Sequence, residues 1–366
     1  MVAWKNIGDV CKSVTPPIKL TTGEYQSDGL YPIIDQGQKE IVGFTDNSDA
    51  LLPEDEYVLF GDHTRYVKYR KGQFAQGADG LKILKVKDGI IPRFFFYSLQ
   101  NADIPSRGYS RHWSIAKDIV IPIPSLSEQT RIVGILDTFA ASIENLKQQI
   151  AERRKQYEYY RDQLLGLEGK EGVEMKTLGE VCDIKGRIGF RGYTREDQVA
   201  KGEGAISLSP GNITNGIINY DSCTYITWKK YEESPEIKTY DGDIILCKTA
   251  SVGKVAMVTS LPEKATINPQ LVVLKKLKVN SRYLYHLLSS YKYQSVLVNL
   301  AGIGSVPNIS QAKLNTIEIP IPSSIEQSRI VSILDTFEAS IANLEAQLKE
   351  REKQYEHYRN KLLTFE

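Results

Sequence analysis

IPIPSLSEQTRIVGILDTF, residues 121–139, returns almost letter for letter as IPIPSSIEQSRIVSILDTF at residues 319–337. The likeness continues to residues 165 and 363, at a constant offset of 198, with 31 of 45 positions identical. Self-similarity at that level marks a duplicated element and has to be read before any local motif. Each copy opens on alternating prolines, which disfavour helix and hold the chain extended. Ser125 with Glu128, and Ser323 with Glu326, then fit a helix capping box. Beyond it the apolar positions are Ile132, Leu136, Phe139, Ile143, Leu146, Ile150, Tyr157, Tyr160 and Leu164, interrupted only at Arg153. Steps alternating four and three over several heptads are the seam of supercoiled helices. The second copy repeats the seam from Ile330 to Leu362, interrupted at Arg351.

One such helix cannot bury its own seam, and the chain supplies a matching one, so an intramolecular antiparallel pair is expected, with globular regions at its two ends. Pairing of separate chains through these seams is the alternative. Arg153 and Arg351 are expected to snorkel out of the seam.

A weaker repeat lies ahead of each helix. KNIGDVC at 5–11 matches KTLGEVC at 176–182, an offset of 171, so the second intervening region is longer by 198 − 171 = 27 residues. LKILK at 81–85 and LVVLK at 271–275 echo each other at an offset of 190. The order is therefore region, helix, region, helix: residues 1–118, 119–171, 172–316 and 317–366. Both regions carry short β-like runs and an apolar helical stretch near the end, as in α+β domains.

The whole chain has 366 residues, 46 Lys+Arg against 45 Asp+Glu, and a formal net charge of +1. That balance alone argues against a nucleic-acid partner. Partition reverses the inference: residues 1–59 hold 4 basic and 10 acidic side chains, residues 60–117 hold 11 and 4, and residues 172–316 hold 18 and 13. The helical segments are net acidic. Within the basic stretches, cations alternate with aromatic and polar groups: His63, Arg65, Tyr66, Lys68 and Arg70; Arg107, Tyr109, Arg111 and His112; Arg187, Arg191, Tyr193 and Arg195. Arg grips phosphates and guanine edges, and Asn and Gln suit adenine. Asn212, Lys248, Lys254, Asn268, Gln270, Asn308 and Gln311 are further candidates, from turn-like loops. All are candidate DNA contacts.

Enzyme signatures are absent. Ser251-Val252-Gly253-Lys254-Val255 lacks the first glycine and final hydroxyl of a phosphate loop. The four histidines include no metal-spaced pair, and His286 and His357 read as surface or seam residues. Asp221 with Glu236 and Lys238 is a weak nuclease-like set. Four isolated cysteines suggest neither zinc nor disulfides. No apolar run is long enough for a membrane span and the first residues lack a signal-peptide pattern, which predicts a cytoplasmic protein with no membrane partner.

The pattern resembles the DNA-specificity subunit of type I restriction–modification systems. The residues that carry the resemblance are the Ile-Pro-Ile-Pro-Ser leads, Glu128-Gln129 with Arg131-Ile132-Val133, the run from Ile135 to Phe139, the terminal Gln156-Tyr157, Tyr160-Arg161 and Leu164-Leu165, and their second copies. The resemblance implies an α+β chain with two globular α/β target recognition domains, separated by two long helices in an antiparallel coiled coil with a pseudo-twofold repeat. Each domain would read one half of a bipartite site in double-stranded DNA, and the coiled coil would set the spacing. It implies no catalytic residue, metal or cofactor in this chain. Two methyltransferase subunits using S-adenosylmethionine and two restriction subunits using ATP and Mg would join it. Phe139, Tyr157, Tyr160, Phe337, Tyr355 and Tyr358 would support methyltransferase docking. A coiled-coil scaffold with protein- or glycan-binding domains is the competing reading of the residues alone.

Overall fold

A computed structural model describes residues 2–187, 194–302 and 306–365. The chain divides into two compact units, residues 1–148 with 345–366, and residues 149–344. The two longest helices, Leu126–Leu165 and Ser324–Thr364, each contribute one part to each unit.

The first unit is built on an antiparallel four-stranded sheet in the order Cys11–Val14, Leu81–Val86, Glu56–Gly61, Val67–Lys71. Alternate residues of a strand face opposite ways, and here both faces are buried. Val58 and Phe60 point to Phe94, Phe95 and Leu99 of the helix Pro92–Asn101 and to Ile132 and Leu136 of the first long helix. Tyr57 and Leu59 point instead to Ile34, Leu52 and Phe74 beside a small three-stranded sheet.

The second unit repeats the plan. Its four-stranded sheet runs Asp183–Gly186, Leu271–Lys275, Ile244–Cys247, Val255–Met257. Ile244 and Leu246 meet the helix Ser281–Ser289 and the seam residues Ile330 and Leu334, while Ile245 and Cys247 meet a second sheet. That second sheet has five strands where the first unit has three, and a two-stranded ribbon, Ile213–Thr214 with Ile217–Ile218, is added. Most of the 27 extra residues enlarge the outer sheet, since the offset rises from 171 to 190 before Leu271; the rest lie after the helix Ser281–Ser289, where the second unit adds the helix Tyr291–Ala301, whose Tyr293 and Leu297 join the core beside the long helices.

The proline leads are extended, as their composition requires. Val120–Ile123 pairs antiparallel with Ala3–Asn6, and Glu318–Ile321 with Glu174–Thr177. The capping box forms by half only. Ser125 Oγ accepts from Glu128 N at 3.4 Å and Ser323 Oγ from Glu326 N at 3.2 Å. The carboxylates turn instead to Arg131 and Arg329, one helical turn on, each gripped by two guanidinium nitrogens. A charged bidentate donor outcompetes a single backbone N–H.

The long helices run antiparallel within each unit. In the first, Phe139 stacks on Tyr358 (centroids 5.3 Å apart) and Lys147 lies 3.8 Å from Glu352. In the second, Phe337 stacks on Tyr160 (5.4 Å) and is approached by Tyr157. Arg351 sits 5.7 Å over the Phe139 ring and Arg153 sits 6.0 Å over Phe337. The seam arginines therefore do not snorkel away; each lies on an aromatic face of the opposing helix, at cation–π range. Of the six aromatics proposed for partner docking, Phe139, Phe337, Tyr157 and Tyr355 are spent on packing inside the units, and only Tyr160 and Tyr358 are exposed.

Candidate nucleic-acid interface

In the first unit, the loop after the strand Glu56–Gly61 is held from two sides. Asp62 N donates to Gly80 O at 2.6 Å, and Asp62 O accepts from His112 N at 2.8 Å. His112 is fully buried: Nδ1 lies 2.9 Å from Asp62 O, and Nε2 accepts from Arg107 N at 3.1 Å, which leaves the ring proton on Nδ1. Asp62 Oδ1 takes Trp113 N at 2.7 Å. These bonds bring the loop 62–66 against the segment 105–113. Gly61 makes the turn possible, since a Cβ there would stand 2.1 Å from Thr64 Oγ1. Arg65 is held in the left-handed region at φ +61 by Arg65 N to Gly61 O (2.7 Å) and Arg65 Nη1 to Ile104 O (2.8 Å). Such backbone strain persists only where the surroundings fix it.

The result is one surface carrying His63, Arg65, Tyr66, Arg107, Tyr109 and Arg111. Tyr109 is 86% exposed, yet it stacks on the half-buried His63 at 4.7 Å and 13°. One face of the ring is supported and the other is presented. Lys68 is not on this surface. It is buried, and its ammonium donates to the carbonyls of Asp35 and Lys39. Burial pushes the Lys68 pKa down, against the opposing pull of Asp35 and Glu40. Arg70 is half-buried on the strand Val67–Lys71, and its Nη2 reaches Gln73 O at 3.5 Å. His112 organises the site from beneath.

The second unit crosses its chain in the same way. Lys248 N donates to Gln270 O at 2.9 Å, and Lys248 O accepts from Ile309 N at 2.8 Å, so Lys248 stands where Asp62 stands in the first unit. Thr249 Oγ1 donates to Asn308 Oδ1 at 2.7 Å, and Ala250, at φ +63, donates to Pro307 O. Lys248, Gln270 and Asn308 therefore converge on one loop cluster. Asn268 is buried and closes a local ring with Gln270 through bonds of 3.0 Å. Gln311 opens the helix Gln311–Asn315 beside Gly186.

The remaining candidates in this unit serve the backbone. Asn212 is buried and its Oδ1 accepts from Ser209 N and Oγ, while Lys254 Nζ donates to Pro210 O (2.9 Å) and Ile213 O (3.1 Å). Together they tie down the ribbon. Arg187 is buried with Nε on Ile267 O at 3.1 Å. Arg195 is exposed on a single turn, and Arg191 and Tyr193 lie outside the described residues.

Sequence reasoning missed Asp62, Gln36 and Thr249. Gln36 accepts from His63 N and Thr64 Oγ1 and donates to Asp79 O, clamping the first loop. The signal that finds Asp62 and Thr249 is their position, since the same three chain segments meet in both repeats; Gln36 comes from the separate strand end after Ile34 and has no such signal.

His286 is fully buried, contrary to the surface or seam reading, while His357 is exposed against Tyr358. With Asp335 and Glu338, His286 forms a set of metal-ligand types within 4.8 Å of one another. Arg282 already bonds both carboxylates, which makes the set an ion-pair network. The nuclease-like set fares no better, since Lys238 pairs with Glu232 and lies over the Tyr231 ring. Cys11, Cys182, Cys223 and Cys247 are all free thiols. Among the described residues no helix is long and apolar enough to cross a membrane.

The family model of the type I restriction modification DNA specificity domain matches residues 1–153 and 170–352. The chain is 29% identical over 388 residues to the type I restriction enzyme EcoR124I/EcoR124II specificity subunit of Escherichia coli, covering all of this chain and 94% of the relative. It is 22% identical to the type I restriction enzyme MjaVIII specificity subunit of Methanocaldococcus jannaschii, covering 98% and 91%. Its fold is similar to the crystal structure of the type I restriction–modification S subunit from M. genitalium, with a TM-score of 0.63, 18% identity, and coverage of 99% and 96%. Two matched segments, in register with the two repeated units and spanning most of the sequence, place this chain in the type I restriction–modification DNA specificity family.

Proposed function

We propose that the chain is the sequence-specific DNA-binding subunit of a type I restriction–modification assembly, each unit reading one half of a split duplex site. The observation that carries this reading is the duplicated loop crossing. The same three segments meet in both units, and each meeting point presents a different set of side chains suited to bases and phosphates: His63, Arg65, Arg107, Tyr109 and Arg111 in one, Lys248, Gln270 and Asn308 in the other. A constant framework with a variable face is what two related readers of two different half-sites need. Asp62 and His112 act in it as positioning groups, aiming the cationic loop without touching the ligand.

The chain itself holds no catalytic group in this reading. Methyltransferase subunits would bring S-adenosylmethionine, and restriction subunits would bring ATP and Mg. The long helices would set the distance between the half-sites, and the exposed rings of Tyr160 and Tyr358 would contribute to docking.

The test is duplex binding by the chain assembled with its methyltransferase, followed across salt. Affinity should fall log-linearly with salt, and Arg111→Ala should lower the slope by about 1, the loss of a single phosphate contact. Replacing residues 1–118 with those of a relative should change one half of the recognised sequence; a change in both halves would sink the modular reading. Salt-insensitive failure to bind any duplex would sink it altogether.

A further inference from the structure

Each unit holds one more loop against its chain crossing. In the first unit it joins the strands Tyr31–Ile34 and Gly43–Thr45, and in the second the strands Gly204–Leu208 and Thr224–Thr227. Topology makes the two loops equivalent: the strand before each loop pairs antiparallel with the strand after it and parallel with a third, Ala75–Gln76 in one unit and Ala265–Ile267 in the other. Their lengths are not the same. The first loop is residues 35–42, and the second, residues 209–223, contains the ribbon Ile213–Thr214 with Ile217–Ile218.

Both loops are clasped by a lysine from the edge strand of the inner sheet. Lys68 lies on Val67–Lys71, and Lys254 stands immediately ahead of Val255–Met257. Lys68 Nζ donates to Asp35 O at 3.0 Å and to Lys39 O, as Lys254 Nζ donates to Pro210 O and Ile213 O. Lys68 is 4% exposed, and the Asp35 carboxylate stands 3.9 Å from its ammonium. Burying an ammonium is costly, whereas surface loops ordinarily keep more freedom than the elements they join. Here the cost is met to fix a loop. Gln36 then locks the first loop to the crossing, its Oε1 accepting from His63 N and its carbonyl from Thr64 Oγ1.

From this fixed backbone Gln38 is exposed, and its side chain bonds to nothing among the described residues. Asn215 is its counterpart on the second loop. It is exposed at the turn of the ribbon, at φ +51 with Gly216 following at φ +75, the two-residue turn of a tight hairpin, and its amide is likewise unbonded among the described residues. A carboxamide is the group that pairs with adenine by two hydrogen bonds, and it discriminates only when its backbone is held. We propose that Gln38 in the first unit and Asn215 in the second are base-reading residues, each carried on a lysine-clasped loop, with Lys68 and Lys254 as positioning residues. Resting on the duplex-reading function, this assignment places part of each half-site's specificity on the loop whose length differs between the units.

The test is selection from a duplex library randomised across both half-sites, by the chain assembled with its methyltransferase, followed by sequencing of the retained duplexes. Gln38→Ala should relax the preference at one or two adjacent base pairs of a single half-site by about tenfold, and Asn215→Ala should do so in the other half-site. Gln38→Glu should move the preference at the same base pair toward cytosine, because a carboxylate accepts from the cytosine amino group and has no N–H for adenine N7. A merely structural role would not exchange one base for another. Lys68→Met should blur the position that Gln38 reads, and the exposed Gln38 variants keep the test standing if the Lys68 variant fails to fold. Unchanged base preferences in Gln38→Ala and Gln38→Glu, or a uniform loss over both half-sites, overturn the assignment of Gln38, and the same results for Asn215→Ala overturn that of Asn215. Retention of no duplex by the unmodified chain overturns the duplex reading and this assignment together, whereas a split site retained by the parent, with unchanged variant profiles, removes the assignment alone.

Discussion

The two units attach their recognition domains to the long helices through equivalent sockets filled with different chemistry. In the first, Arg93 Nε donates to Asp137 Oδ1 at 2.7 Å, the Tyr97 hydroxyl donates to the same oxygen, and the guanidinium lies over Tyr69, Phe96 and Tyr97. In the second, Arg282 occupies the place of Arg93 and Asp335 that of Asp137, but His286 replaces Tyr97 and Glu338 replaces Ala140. His286 Nε2 donates to Asp335 at 2.9 Å, and the Tyr157 hydroxyl donates to Glu338 at 3.0 Å while standing 3.1 Å from His286 Nδ1. The Arg–Asp pair is common to both sockets. What differs is whether its surroundings are aromatic and neutral or charged and networked, and a low-dielectric network stakes more on every member being present.

The largest expected effect tests what the units share. Leu136 and Leu334 are equivalent and fully buried. Leu136→Ala and Leu334→Ala should each cost about 2–5 kcal/mol, by lost burial plus a cavity. Hydrogen exchange should show each loss concentrated in its own unit; uniform acceleration through the whole chain would break the comparison of separate units.

Next comes the charged pair itself. Asp335→Asn should cost about 1–2 kcal/mol, discounted for the partial exposure of the carboxylate, because Arg282 and His286 keep only a neutral amide oxygen to donate to and the negative charge between them is gone. Asp137→Asn should cost about 0.5–1 kcal/mol, since the aromatic cage still holds Arg93. Urea unfolding of the two variants ranks them, and the reverse order would mean that the cage, not the network, depends on its carboxylate.

The pH dependence sharpens the same contrast. Burial acts to raise the Asp335 pKa, but hydrogen bonds from His286 and Arg282 outweigh it and the net shift is downward from 3.8. A carboxyl depressed in the folded state contributes stability above its unfolded pKa and loses it as pH falls through the folded value. The second unit should therefore lose stability below about pH 4, and Asp335→Asn should flatten that acid arm in pH-dependent urea midpoints. The smallest effect is a conversion. His286→Tyr with Glu338→Ala gives the second socket the tyrosine and alanine of the first, though not its Tyr69 or Phe96, and should fall within about 1 kcal/mol of the parent, less than His286→Ala alone. A larger loss would show that the backbones of the two sockets are not interchangeable.

Much of this fold was legible because apolar spacing reports packing directly. Ile132, Leu136, Ile330 and Leu334 were assigned to a buried seam and are fully buried. The duplicated leads also gave the strand-then-helix order without any tertiary information. The cation-rich segments were harder. Residue type placed Lys68, Arg70, His112, Asn212 and Lys254 with the candidate contacts, yet Lys68 and Lys254 cap backbone carbonyls and His112 pins a loop. An ammonium that meets a phosphate and one that meets a carbonyl look alike in sequence; only the approach of a distant chain segment separates them. Lys68 sits on a strand whose alternation points it inward, a signal that period-two reading catches once the strand is known.

One pair of contacts has a bearing on how such chains diversify. Gln129 Oε1 accepts from Ile91 N at 2.8 Å and Gln327 Oε1 accepts from Asn280 N at 2.9 Å, while each amide nitrogen returns to its own proline lead. The receiving positions are an isoleucine in one unit and an asparagine in the other. The bond is made to the main chain and is blind to the side chain there, so the helix end works as a standard fitting. A recombination event that delivers a wholly different reading cassette needs to supply only a free backbone N–H at that point, and new specificity can arrive in one step without renegotiating the joint.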